Sequence, residues 1–155
     1  MNQRLKIGVL TLAATLAWSA GARAQSPQDQ LWDAAISGDV AAVTAALDAG
    51  ADIHALDTRT NRNGRKALNW AAWYNHVAVI DVLLERGADI NAVNNTGFAP
   101  LHHAAENGSL EAAIALMAAG ANRQQETFDG ATPLDVALFK GHGLMAELLK
   151  IATEE

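Results

Sequence analysis

A pattern of glycines returns every 33 residues in this chain, and no other sequence feature restricts its fold as strongly. The stretch GADINAVNNTGFAPLHHAAENGSLEAAIALMAAGA begins at Gly87 and meets its own start again at Gly120. Gly64, Gly97 and Gly130 keep the same spacing, as do Leu68, Leu101 and Leu134, and Asn75, Gly108 and Gly141. An earlier copy, from Leu31 to Asp57, matches with a spacing of 37, and its four additional residues lie in DTRTNRNG. Self-similarity at this period marks stacked repeats, each too small to bury its own apolar face.

Each copy reads as two short helices and a hairpin-like turn. The first helix carries small residues (Ala34–Ala35, Ala71–Ala72, Ala104–Ala105) that let neighbouring helices approach closely. A polar break follows: SGD, NH, NGS or GH. The second helix repeats apolar residues at helical spacing, such as Val79, Ile80, Leu83 and Leu84, and Gly50, Gly87 and Gly120 then end it.

The stretches APLHHAAENG, ATPLDVALFKGH, RGADINAVN and AGADIHALD resemble the ankyrin repeat, with its T-P-L-H-x-A signature and 33-residue period. The resemblance runs over about residues 28 to 152 and implies an all-α ankyrin-repeat solenoid of four helix-turn-helix repeats with hairpin-like fingers. Repeat two departs from the signature with Lys66–Ala67 and Asn69; repeat four departs with Asp135 and Leu138. Weaker local turns are expected in both. Lys150 occupies the place of Met117 and Leu84, apolar sites that should face a following repeat, so repeat four is expected to cap the stack.

Residues 1–24 read as a signal peptide and 25–155 as the ankyrin-repeat domain, with repeats at about 28–63, 64–96, 97–129 and 130–152. The leader has Arg4 and Lys6, an apolar run from Ile7 to Trp18 and Ala22-Arg23-Ala24, an A-x-A site. That run is too short to span a bilayer. Export to the periplasm of a bacterium, or secretion beyond it, is the expected address, with no stable membrane insertion after cleavage. The mature chain would carry eight basic and 17 acidic residues, a net charge of −9, which disfavours nucleic acid and anionic membrane as partners. With no cysteine, disulfides, thiolate metal sites and cysteine nucleophiles are excluded.

No catalytic constellation stands out. His102 and Glu106 are four apart, as two metal ligands on one helix face would be, but no third ligand has related spacing. The resemblance places His102 in the T-P-L-H slot, where the imidazole ties the turn together by hydrogen bonds. His76 and His142 recur at the interhelical break and read as architectural, and His54 sits in the turn that elsewhere carries Asn91. Ser37 and Ser109 sit at helix breaks without a nucleophile elbow, and phosphate-loop and dinucleotide motifs are missing. No catalytic residue, metal or cofactor is assigned.

The stretch WAAWYNH then raises a question about its adjacent rings, because neighbours on a helix cannot share one buried face. Trp73 and Tyr74 align with Ile36–Ser37, Glu106–Asn107 and Phe139–Lys140. The resemblance places these positions on the first helix, facing the concave groove where partners dock. Trp73 and Tyr74 are accordingly expected to be largely exposed, and Trp70 to pack between repeats. Phe98, Phe128 and Arg65 fall in the fingers, and Arg59, Arg62, Arg65 and Lys66 supply half of the mature positive charge. Tryptophan, tyrosine and arginine are the residues enriched at binding hot spots. The reading is a monomeric, non-catalytic module that binds a protein through repeats two and three; an exported enzyme or small-ligand protein using the same groove is the alternative. N-terminal analysis of protein from the cell envelope should find Gln25; an exported, functional form beginning at Met1 would refute the leader.

Overall fold

The computed structural model describes residues 25–151; the leader and residues 152–155 lie outside them. Among the described residues there are eight helices and no strand: α1 (Pro27–Ser37), α2 (Val40–Asp48), α3 (Ala67–Trp73), α4 (Val77–Glu85), α5 (Pro100–Asn107), α6 (Leu110–Ala118), α7 (Pro133–Lys140) and α8 (Gly143–Ile151). Four helix pairs stack in chain order, as the repeat requires. First helices pack on first helices (α1 on α3, α3 on α5, α5 on α7), and α4 lies between α2 and α6. The alanine pairs are buried at these contacts, and Ala46, Leu83, Leu116 and Leu149 form one buried column through the second helices.

Each first helix starts with the same bond made by different side chains. The third helical residue reaches back to the N–H of the cap: Lys66 N–H donates to Asn69 Oδ1 at 2.8 Å, Ala99 N–H to His102 Nδ1 at 3.2 Å, and Thr132 N–H to Asp135 Oδ2 at 2.9 Å. Asn69 and Asp135 therefore close their turns as His102 does, and the expected weakening of repeats two and four is corrected. Because Nδ1 of His102 accepts, its proton sits on Nε2 and is donated to the Ala131 carbonyl at 3.1 Å, tying repeat three to repeat four.

The interhelical breaks clasp the preceding repeat. His76 Nε2–H donates to the Ile36 carbonyl (3.0 Å), Ser109 Oγ–H to the Trp73 carbonyl (2.8 Å), and His142 Nε2–H to the Glu106 carbonyl (3.1 Å). The architectural reading of His76 and His142 holds. The His142 clasp needs Gly108: with φ of 70°, a Cβ there would stand 2.9 Å from Nδ1 of His142. Asn75 replaces glycine in repeat two at φ 63°, and its side chain works in exchange. Asn75 Oδ1 accepts from Ala112 N–H at the start of α6, and Nδ2 donates to Glu111.

The fingers are also joined to one another. Asn95 N–H donates to the Asn63 carbonyl at 3.1 Å and Phe128 N–H to the Thr96 carbonyl at 3.4 Å. Fingers and first helices together line one face of the stack. Ending the chain after Gly130 removes α7 and α8 and should uncover the buried Leu116 and Met117. Loss of that nearest-neighbour interface should cost on the order of several kcal/mol. An unchanged melting temperature and solubility in the truncated form would contradict the stacking.

Candidate functional site

The inserted segment between repeats one and two lays its arginines along a rail of tryptophans. Arg59 stands 5.1 Å above the Trp32 ring, Arg62 5.2 Å above Trp70, and Arg65 4.7 Å above Trp70 and 4.5 Å above Trp73. An aromatic face attracts a guanidinium through its quadrupole, so each contact places a cation on a ring. Arg59 is anchored most firmly. Its Nε and Nη2 donate to the two oxygens of the buried Asp57, each at 2.8 Å, and its Nη1 to Asp33 at 2.6 Å. Those bonds to Asp57 outweigh burial and push the Arg59 pKa up. Trp70 Nε1–H adds a 3.2 Å bond to Asp57, so this buried carboxylate is bonded on both oxygens.

Two expectations for the anchors change accordingly. Trp73 is half-buried rather than largely exposed, because Arg65 covers one face and its edge meets His103 at 5.9 Å between ring centroids. Tyr74 is 42% exposed, less than the largely exposed ring expected, because it stacks on Trp70 and His76, whereas Trp70 is only 3% exposed, as expected. Arg65 is no free rim charge: its side chain is 12% exposed, and burial pushes its pKa down. Arg59 is half-buried, and its guanidinium is spent on Asp57 and Asp33. Arg62 is half-buried with its guanidinium on Trp70, and Lys66 opens α3 as its N-cap.

Glu106 is the point at which three repeats meet. Its Oε1 accepts from Lys140 Nζ of repeat four at 3.0 Å; its Oε2 lies 3.6 Å from His103 Nδ1 and 3.9 Å from Arg65 Nη2 of repeat two. Burial opposes its ionisation, but the contacts from His103 and Lys140 win, and the carboxyl is held down at about 2. His103 is buried. Its Nε2 accepts from Asn94 Nδ2 at 3.4 Å, since Asn94 Oδ1 is occupied by the N–H groups of Thr96 and Phe98. The proton of neutral His103 therefore sits on Nδ1, facing Glu106.

The structure thus brings Arg65, Trp73, Phe98, Glu106, Phe139 and Lys140 to one face. Phe98 packs 5.5 Å from the rings of both His102 and His103. Phe139 is 86% exposed beside a slot of about 440 Å³ lined by Phe98, Ala131 and Val136. Phe128, 73% exposed, stands apart on a finger, and Asn107 is used to bond the Trp73 carbonyl at 2.9 Å. The hydrogen-bonding roles of Asp57, Asn94 and His103 escaped the sequence reading. Their signal was present: Asp57, Asn94 and Thr127 form a polar column at repeat spacing, facing Trp70 and His103, themselves 33 apart.

As for chemistry, among the described residues no group of three or more His, Asp or Glu side chains could hold a metal ion, and no helix is long and apolar enough to cross a membrane. His102 is engaged at both nitrogens, so it does not pair with Glu106.

Burial pushes His103 down to about 4 and lowers His102 as well. Both fold in the neutral form, so the unfolded chain binds more protons below its ordinary histidine pKa, and stability is lost as pH falls from about 6.5 towards 4. Glu106 adds loss of the same sign only below its ordinary range, towards pH 2. Between pH 7 and pH 5, His103 should cost about 2 kcal/mol. Denaturant titrations should show that loss, and His103→Gln should flatten it; equal pH slopes in the two proteins would count against a buried neutral His103.

A family profile for ankyrin repeats in three copies matches residues 10–94, and one for many copies matches residues 74–117. The chain is similar to tyrosine-protein kinase HTK16 of Hydra vulgaris, with 38% identity over 104 residues, 66% of this chain but 13% of the kinase. It is 36% identical to protein fem-1 homolog A-like of Mus musculus over 89 residues, 57% of this chain and 14% of that protein. The chain thus spans about a seventh of the length of these two relatives. With cyclin-dependent kinase 4 inhibitor B of Bos taurus it shares 34% identity over 121 residues, 77% of this chain and 88% of the inhibitor. A three-copy profile over more than half of the sequence, four stacked helix pairs and that near full-length relative lead to one assignment: the chain belongs to the ankyrin-repeat family.

Proposed function

We propose that this chain is a non-catalytic, monomeric protein-binding module exported to the cell envelope, and that it holds its partner on the face made by fingers and first helices. Ankyrin repeats generally mediate protein–protein interaction, and the relative covered over most of its length is by name an inhibitor of a kinase. The observation that carries the reading is the surface around Glu106. A half-buried Trp73 on one side and an 86% exposed Phe139 on the other flank it, with Arg62 and Lys140 near the edges. Clustered aromatic and basic side chains of this kind make hot spots, and a mature net charge of −9 argues against nucleic acid as the partner. The centre of binding lies towards repeats three and four as well as two, because Phe139 and Lys140 are the more open side chains. Export rests on the leader pattern alone.

A photoreactive residue at Phe139, crosslinked in the native envelope, should capture one defined partner. Phe139→Ala should leave the melting temperature nearly unchanged, since an exposed ring adds little to the core, but weaken binding to that partner by about 2 kcal/mol or more. Trp73→Ala should weaken both stability and binding, because its ring also packs on Arg65 and His103. Failure to capture any protein, or full binding by Phe139→Ala, would overturn the assignment.

A further inference from the structure

We propose that the surface on either side of Glu106 is a two-part receptor for an extended partner segment carrying an acidic side chain beside an apolar one, and that Glu106 keeps the acid's place in the free protein. The proposal rests on the protein-binding reading and specifies the partner's chemistry.

On one side of Glu106 lies a cleft of about 260 Å³, lined by Asn63, Arg65, Thr96, Phe98 and His103. Two buried N–H groups there make no hydrogen bond: Arg65 Nε and His103 Nδ1. His103 is 1% exposed, and its Nε2 bond to Asn94 leaves the Nδ1 proton aimed at the cleft. Buried donors are nearly always matched by an acceptor, so two unmatched ones beside one cavity indicate where an acceptor belongs. Glu106 Oε2 stands 3.6 Å from the unmatched His103 Nδ1 and 3.9 Å from Nη2 of Arg65, while Oε1 is bonded to Lys140, so Arg65 Nε is left without an acceptor.

The cation in this cleft is also prepared. Arg65 is pinned between the Trp70 and Trp73 rings, so its fork is held in one orientation before any ligand arrives. An arginine fork matches a carboxylate in two parallel bonds, and little side-chain freedom remains to be lost on binding. Glu106 can turn wholly to Lys140, leaving His103 Nδ1 and the Arg65 fork to an incoming acceptor. Asp129 also borders the cleft, but it is exposed, so its charge is screened by solvent.

On the other side of Glu106 is the apolar slot of Phe98, Ala131, Val136 and Phe139. Phe98 and Glu106 line both cavities, so the two are adjacent. In an extended strand successive side chains diverge, which lets neighbours enter two pockets that flank one ridge. A phenylalanine or leucine next to an aspartate or glutamate satisfies both.

The test uses the full chain and two peptides, acetylated and amidated, of sequence Ala-Ser-Phe-Glu-Ser-Ala and Ala-Ser-Phe-Gln-Ser-Ala. Calorimetry on the unaltered protein should show the acid binding about tenfold more tightly than the amide, and the acid should change the fluorescence of the tryptophans that hold Arg65. Glu106→Gln, with folding verified by melting, should tighten the acid several-fold and leave the amide unchanged; Phe139→Ala should weaken both peptides. Equal affinity for acid and amide, no binding of either, or weaker acid binding by Glu106→Gln would overturn the proposal. Partner capture at Phe139 that persists alongside equal peptide affinities would sink this inference alone, whereas loss of capture would sink the protein-binding reading beneath it.

Discussion

Burial in this protein is shared between neighbours 33 residues apart, and the rest of the structure depends on that sharing. A helix pair of this size cannot bury its own apolar face, so each pair is stable only against the next. The alanines of the first helices set the spacing: with small side chains at every contact, the backbones approach closely enough for polar groups to reach across. The clasps from His76, Ser109 and His142 to the carbonyls of the preceding repeat are a product of that approach. So are the finger-to-finger bonds at Asn95 and Phe128. Packing gives the stack its strength, and these directed bonds hold it in register.

The insertion between repeats one and two shows how a loop becomes part of such a stack. A surface loop with three arginines would ordinarily contribute solubility and little else. Here Asp57 is buried, and removing it from water is tolerable because Arg59 and Trp70 bond both of its oxygens. Arg59 then rests on Trp32, while Arg62 and Arg65 share Trp70, so the loop follows the aromatic rail of the first helices. The same residue types that suggest a partner surface are in part consumed by the fold. What remains open lies further along, at Phe139 and Lys140, where Ile36 and Trp73 of the same column give way to Glu106 and an exposed ring.

Much of the architecture was legible in the residues. Period and helix pairing follow from the spacing of glycine, leucine and alanine, and the histidines at the breaks follow from their recurrence. The site was legible only by position. Trp73, Glu106 and Phe139 could be assigned to one column, but not the extent to which each is covered. Exposure depends on which side chain folds over which ring, and Arg65, at the repeat position that Phe98 and Ala131 fill elsewhere, lies over Trp73. Asn69 and Asp135 were expected to weaken their turns because they depart from the repeat signature. They do not, since an amide or carboxylate oxygen accepts the cap N–H as an imidazole nitrogen does.

The sequence by itself determined the repeat, the pairing of short helices within it and the apolar spacing of the second helices, because these depend on spacing along the chain and on propensities that act within a few residues. Tertiary structure alone decided which charges are spent. Asp57 with Arg59, His103 with Asn94, and Glu106 among Lys140, His103 and Arg65 are meetings set by distances of a few ångströms between separate elements. A charge alters its neighbour's ionisation and exposure only at such range, and one-dimensional spacing does not fix how side chains approach one another.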